Sequence, residues 1–138
     1  MVPMEISQAI EFVAANDMTV LATLKRDGTP QMSPNTLAVV DGQILMSTRQ
    51  TAYKVKNLRR DNRAWLVVMP RKWLGRWVQL ECRAEIVDLP DAMELLVEYY
   101  RTLRGEHPDW DEYRAAMETD QRCILRFEVL SAGPTVQG

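Results

Sequence analysis

The chain has 138 residues, of which 46% are hydrophobic and 26% are charged, and its formal net charge is −2. These values are typical of a soluble globular protein with one domain over residues 1–138, and no apolar run approaches the about 20 residues of a membrane span. An acidic balance also disfavours general nucleic-acid binding, for which a basic domain is expected. The first residues lack the pattern of a signal peptide, so we expect a cytoplasmic protein.

The first part of the chain predicts a helix followed by an antiparallel meander. Ser7 is typical of the N-cap of a short helix that runs to Ala15. Residues 18–24 and 29–40 are predicted strands separated by an Asp-Gly turn at residues 27–28. A second Asp-Gly turn at residues 41–42 precedes a third strand that ends at Met46. Consecutive antiparallel strands are therefore the clearest structural prediction.

Strands and helices alternate in the rest of the chain. A helix is predicted over residues 55–61, and strands over residues 64–70 and 76–87. Helices that begin near Pro90 and Pro108 are expected to run to about Leu103 and Met117, before a sixth strand at residues 123–130. Six strands with short early turns favour a small antiparallel barrel, and an open sheet covered by helices is the alternative.

A basic segment follows the third strand and is suited to binding a phosphate. The strand leads to Ser47 and Thr48 in a polar turn, whose hydroxyl and N–H groups can face an anion at the next helix start. Lys54 and Asn57 add a charge and a donor on that helix. Residues 49–83 hold ten basic and two acidic residues, a local balance of 10 − 2 = +8. An ordinary solvated helix with surface arginines is the alternative interpretation.

Other catalytic constellations have little support in the sequence. His107 is the single histidine and precedes a proline in an acidic loop, so we expect a structural or solvated role. Cys82 and Cys123 have no CxxC or histidine-rich surroundings, which disfavours a metal site. We expect buried thiols there, and the sequence leaves a disulfide between them open. A missing acid/base set is compatible with a bound cofactor that performs the chemistry.

Three segments, residues 21–34, 41–48 and 54–61, together resemble the flavin and deazaflavin split β-barrel family, which includes pyridoxamine 5′-phosphate oxidase. The resemblance is closest to the branch that uses the deazaflavin coenzyme F-420. It implies an α+β fold that is mainly β, a six-stranded antiparallel split β-barrel with flanking helices. It also implies a homodimer with the cofactor in a groove between the subunits and a small-molecule substrate.

The resemblance assigns cofactor roles to individual residues. Thr48 and Lys54 fall on the phosphate-binding threonine and lysine, and Trp77 falls on a ring contact from the fifth strand. Ser47, Arg49 and Asn57 lie beside the phosphate site, and the ring runs along the strand that contains Gln31, Met32, Ser33 and Pro34. The chain departs from the family pattern where Ala52 and Tyr53 precede the lysine and where Cys82 replaces a glycine. Arginines that would bind a vitamin B6 substrate are not recognisable.

The predicted function is hydride transfer between reduced coenzyme F-420 and an unsaturated small molecule. The acidic tail of this coenzyme would suit surplus arginines of the basic segment, which favours it over FMN, the alternative cofactor. A flavin-binding module without turnover and a non-flavin protein with an acidic partner are the other hypotheses. Trp73 is assigned to a substrate pocket or an interface, and Trp77 to a ligand contact or the core.

Overall fold

The computed structural model describes residues 1–72 and 75–135. Trp73, assigned above to a pocket or an interface, lies outside these residues. The elements in chain order are α1 (Ile6–Ala15), β1 (Met18–Leu24), β2 (Pro30–Thr36), β3 (Ala38–Val40), β4 (Gln43–Arg49), α2 (Tyr53–Arg60), β5 (Arg63–Met69), β6 (Val78–Val87), α3 (Met93–Arg104), α4 (Trp110–Thr119) and β7 (Arg122–Gly133). The structure contains no helix long and apolar enough to cross a membrane within the described residues.

The strands form one curled antiparallel sheet in the order β2-β1-β5-β6-β7-β4-β3. Near the two ends of this order, the Asn35 side chain in β2 donates to the backbone oxygen of Ser47 in β4 at 3.3 Å. The sheet therefore curls until β2 approaches β4, and the remaining gap makes the barrel a split one. This confirms the predicted fold class.

The strand count differs from the prediction, because residues 29–40 form two strands rather than one. Leu37 separates β2 from β3, its side chain is 1% exposed, and its N–H donates to the backbone oxygen of Asp17 at 2.8 Å. On either side of this break, β2 pairs with β1 and β3 pairs with β4. The described sheet thus has seven strands instead of six. The interruption is a tertiary contact that the apolar pattern did not reveal.

The local signals for turns were more reliable than the signal for the first helix cap. Asp41 and Gly42 both have positive φ, at 50° and 75°, as a two-residue hairpin turn of the right twist requires. The prediction of Ser7 as an N-cap was wrong. Helix α1 begins at Ile6, its cap position is Glu5, two residues before Ser7, and no side chain caps it.

Two apolar clusters hold the fold together. The larger one fills the barrel and includes Leu21, Met46 and Leu66, each fully buried. The smaller one lies between the outer face of the sheet and helices α3 and α4. It includes Leu45 and Ile124 of the sheet and the buried Leu96 of α3. Helices α3 and α4 therefore cover the outside of the barrel beside β4 and β7, which places their side chains next to the end of β4.

Candidate functional site

The end of β4 presents different side chains to the two faces of the sheet. Thr48 is 5% exposed and pairs with the buried Cys123 on β7, so its side chain belongs to the barrel interior. Alternation along the strand places Ser47 and Arg49 on the outer face instead. The structure therefore separates the Thr48 side chain from its predicted neighbours.

Arg49 lies directly opposite Arg122 in the antiparallel pairing of β4 with β7. Directly opposed residues share one face of a sheet, so both guanidinium groups leave the outer face at the same place. Like charges in this arrangement destabilise the pair. No hydrogen bond or ion pair is made by the Arg49 side chain to any described residue. An anion between or beside the two arginines would remove the repulsion.

Lys54 adds a third positive charge from the first turn of α2. Its side chain is half-buried, and burial together with the nearby charge of Arg122 lowers the pKa of its ammonium group. Within the described residues, no carboxylate pairs with Lys54. The first turn of α2 holds no acidic residue, and its N-cap Ala52 provides no side-chain hydrogen bond. The positive end of the helix dipole is thus left without a negative group.

Two buried side-chain atoms of the described residues have no hydrogen-bond partner, Arg122 Nε and Ser33 Oγ. The nearest carboxylate to Arg122 is that of Asp120, whose Oδ2 lies 3.9 Å from Nε, beyond hydrogen-bonding distance. Buried polar groups are nearly always satisfied in folded proteins, and an exception needs an explanation. A bound ligand that accepts from Arg122 would explain the first of these two atoms.

A cleft of about 490 Å³ adjoins Arg122 on the outer face of the barrel. Its wall on the barrel side includes Asn35 and Ser47, and its other wall comes from α3 and α4. Tyr99 is anchored there, since its hydroxyl donates to the backbone oxygen of Thr36 at 3.0 Å and lies 2.9 Å from Thr36 Oγ1. Burial raises the pKa of Tyr99, so it remains protonated at neutral pH.

The residues predicted to run along the ring lie on the edge strand β2. Thr23 on β1 donates to Gln31 Oε1 at 3.4 Å, so Gln31 lies against β1. Ser33 has the same orientation by alternation, and its hydroxyl is one of the two unsatisfied atoms. Met32 and Pro34 point outward, and Met32 is 65% exposed. Exposure of a methionine on an edge strand is compatible with a ligand or a second subunit.

Asn57 and Trp77 are the remaining residues of the predicted cofactor site. Asn57 is 6% exposed, donates to Thr23 Oγ1 at 3.1 Å and accepts from Arg60 Nη2 at 3.2 Å. Its amide thus joins α2 to β1. Trp77 is 37% exposed and immediately precedes β6. The other end of β6, at Val87, pairs with the start of β7 near Arg122.

Several arginines of the basic segment are already paired with acidic groups. Arg59 contacts Asp88 at 2.8 Å, and Arg63 contacts Asp61 at 2.8 Å. Arg71, which borders the cleft, contacts Asp17 at 2.9 Å. The positive surplus predicted from the sequence is therefore smaller on the folded surface, although Arg49 and Lys54 are among the basic residues of the segment that keep no acidic partner among the described residues.

The sequence interpretation missed Arg122, Tyr99 and Arg104, all of which border the cleft. Arg122 lies more than 60 positions after Lys54 in the sequence, so only the pairing of β7 with β4 brings them together. Its position before an apolar strand is a weak signal that could have marked it. The described residues give no support for metal chemistry, since they contain no group of three metal-ligating side chains.

Residues 7–131 match a family model that is described as pyridoxamine 5′-phosphate oxidase. The chain belongs to this family. The match confirms the resemblance of the three segments described above to this family.

Solved structures share the fold of this family member. A conserved hypothetical protein of Mycobacterium tuberculosis is 25% identical, with a TM-score of 0.76, and the match covers 99% of this chain and 94% of that one. A structure described as an F-420 reductase is 18% identical, with a TM-score of 0.69 and coverages of 89% and 94%. An FAD-binding protein of Mesorhizobium loti is 21% identical, with a TM-score of 0.66 and coverages of 94% and 94%.

Proposed function

We propose that this protein is an oxidoreductase that transfers a hydride between reduced coenzyme F-420 and an unsaturated small molecule. The observation that carries the proposal is the cluster of Arg49, Lys54 and Arg122 beside an uncapped helix start. No described carboxylate lies within hydrogen-bonding distance of any of the three. Like charges held close together repel each other, and a bound anion would relieve this repulsion.

The phosphate of the cofactor would be held by Ser47, Arg49 and Lys54, with Arg122 opposite Arg49 at the edge of the site. Ser47 and Arg49 share the outer face of β4, and Lys54 approaches from the first turn of α2. Thr48 and Asn57 are proposed as supports for this site rather than as direct contacts, because both side chains are buried and Asn57 already has two partners.

The ring system would lie along β2, between Gln31 and Pro34. The unsatisfied Ser33 hydroxyl supports this placement, since a ring nitrogen or carbonyl could complete its hydrogen bonding. When bound, a flavin or deazaflavin supplies the ring that accepts or donates the hydride. The protein's own residues would bind and orient that ring and exclude water from it.

We extend the proposal to a homodimer with the cofactor groove between subunits, as the family resemblance implies. Met32 and Pro34 on the outer face of β2 and the exposed Trp77 offer apolar surface for a second subunit. Trp77 would then contact the ring from the partner subunit rather than from its own. Small-angle scattering at increasing protein concentration tests this: a constant mass near 16 kDa would contradict the dimer.

Coenzyme F-420 is proposed ahead of FMN because its acidic tail adds negative charge. Basic residues of the segment 49–83 that have no acidic partner among the described residues can bind this tail. FMN is the alternative, supported by the same phosphate site. A fluorescence titration of the purified protein with each cofactor separates them. Saturable binding of F-420 with much weaker binding of FMN is expected, followed by oxidation of the reduced coenzyme with an unsaturated acceptor.

Other outcomes of this titration have defined meanings. Tighter binding of FMN would move the protein to the flavin branch of the family. Binding of either cofactor without turnover over a range of acceptors would support a flavin-binding module. Failure of both cofactors to bind a folded sample would reject the proposed function.

A further inference from the structure

The cleft beside Arg122 has two chemically different parts. Tyr99 and Tyr100 of α3 supply aromatic surface, the buried Tyr113 of α4 packs against Tyr100, and Arg104 and Arg122 supply positive charge. The cleft volume of about 490 Å³ lies in the range of sites for small organic molecules. An aromatic wall next to a cation is suited to a flat molecule that carries a negative group at one end.

The positive charge in the cleft is only partly neutralised by the protein. Asp17 is the acidic residue that borders the cleft, and it is paired with Arg71 at 2.9 Å. Arg104 makes no ion pair or hydrogen bond with the rest of the described chain. Arg122 Nε is buried and unsatisfied, with Asp120 Oδ2 at 3.9 Å. The residues that border the cleft therefore carry a net charge of +2, from three arginines and one aspartate, and Asp120 beside Arg122 lies outside this lining.

The cleft meets the proposed phosphate site at Ser47, which borders the cleft, and extends away from that site towards α3 and α4. Arg122 borders the cleft, whereas Lys54 and Arg49 do not. Arg122 therefore lies at the boundary between the two, with Lys54 on one side and the tyrosines on the other. The electrostatic influence of Arg122 on Lys54, Tyr99 and Tyr113 agrees with this central position.

We infer that the cleft binds a planar, unsaturated organic acid, with its carboxylate on Arg122 and its flat body against Tyr99 and Tyr100 of α3. A guanidinium group matches a carboxylate with two parallel hydrogen bonds, which would use the unsatisfied Nε. The assignment of this acid as the substrate rests on the proposed function, whereas its binding in the cleft does not.

Arg104 is expected to steer and partly neutralise the acid rather than to fix it, because its side chain is exposed. The tyrosine hydroxyls are less available. Tyr99 is bonded to Thr36, and Tyr113 donates to the backbone oxygen of Leu96 at 2.8 Å. The rings of Tyr99 and Tyr100, rather than the hydroxyls of Tyr99 and Tyr113, are therefore the contact surface for the ligand.

The test is calorimetric titration of the full chain, without added cofactor, with trans-cinnamate and with the neutral amide of the same acid. We expect saturable binding of cinnamate and binding of the amide that is weaker by about tenfold or more, because the amide loses the charge-assisted contact. Arg122→Gln should reduce cinnamate affinity by a similar factor. Arg126→Gln is the matched control, since Arg126 lies on the same strand, pairs with Glu85 and does not border the cleft.

Three results would overturn the inference. These are equal binding of the acid and the amide, unchanged cinnamate affinity in a folded Arg122→Gln variant, and complete competition between cinnamate and a saturating cofactor. Cinnamate binding that survives in a protein unable to bind F-420 or FMN would reject the proposed function alone. Cofactor binding without any cinnamate binding would reject the cleft inference alone.

Discussion

The side-chain amide of Asn57 donates a hydrogen bond to the Thr23 hydroxyl at 3.1 Å and thereby fastens α2 to β1. Thr23 in turn donates to Gln31 Oε1 at 3.4 Å, so a polar chain links α2, β1 and the edge strand β2. Since α2 carries Lys54 and β2 carries Ser33, this buried network sets the distance between the proposed phosphate and ring contacts.

Asn57→Ala is expected to lower the free energy of unfolding by about 1–3 kcal/mol, because the Thr23 hydroxyl and the Arg60 guanidinium lose a partner. Urea denaturation followed by tryptophan fluorescence measures the change. Asn62→Ala is the control: its side chain is exposed, and its effect should stay within about 0.5 kcal/mol. Equal stabilities of the two variants would show that the network contributes nothing to the fold.

Lys54→Met is expected to act in opposite directions on stability and on cofactor binding. Removal of a half-buried charge next to Arg122 should raise the free energy of unfolding at neutral pH by about 0.5–2 kcal/mol. Loss of a charge-assisted phosphate contact should weaken cofactor binding by about 1.5–3 kcal/mol. Lys56→Met on the exposed face of the same helix should change binding little. A less stable variant with unchanged affinity would contradict both expectations.

The pH dependence of stability gives an independent check on Lys54. Its pKa is lowered from 10.5 in the folded protein, so the unfolded chain binds the proton more tightly. The contribution of Lys54 to the unfolding free energy therefore increases as the pH rises from the folded pKa towards 10.5. Lys54→Met should remove this increase, and the difference between the two pH profiles isolates it. An unchanged slope would show that Lys54 is not perturbed.

Local patterns predicted the elements well, whereas the site depended on distant pairings. Alternation and Asp-Gly turns predicted most strands, because both signals arise within a few residues. The break at Leu37 and the meeting of Arg49 with Arg122 arise from contacts between distant segments, which a single sequence does not display. Thr48 shows the same limit: a one-residue shift in position moves a strand side chain to the other face.

Both cysteines should be inert in the native protein. Burial raises the pKa of Cys82 to about 12 and that of Cys123 to about 11, and neither is in a disulfide. The protonated thiol is favoured in the fold, so the stability that it contributes is lost as the pH rises above 9.0 towards these values. A thiol reagent at pH 8 should detect no reactive thiol in the folded protein and both thiols in denaturant. Rapid labelling of either cysteine without denaturant would contradict its burial.

The opposed pair Arg49 and Arg122 predicts stabilisation by simple anions even before any cofactor is added. Inorganic phosphate at about 50 mM should raise the melting temperature by a few degrees over chloride at the same ionic strength, because it binds the folded cluster and not the unfolded chain. Arg49→Gln should reduce this rise and should itself stabilise the phosphate-free protein slightly, since the repulsion across β4 and β7 is removed.

Arg26→Gln is the control for this substitution, because Arg26 lies in the exposed turn between β1 and β2 and does not take part in the pairing of β4 with β7. It should keep the full response to phosphate. An identical response in Arg49→Gln and Arg26→Gln would mean that phosphate acts through general ionic effects. Arg49 and Arg122 would then be a pair of like charges that repel each other without binding phosphate. The phosphate site would have to be placed elsewhere on the barrel.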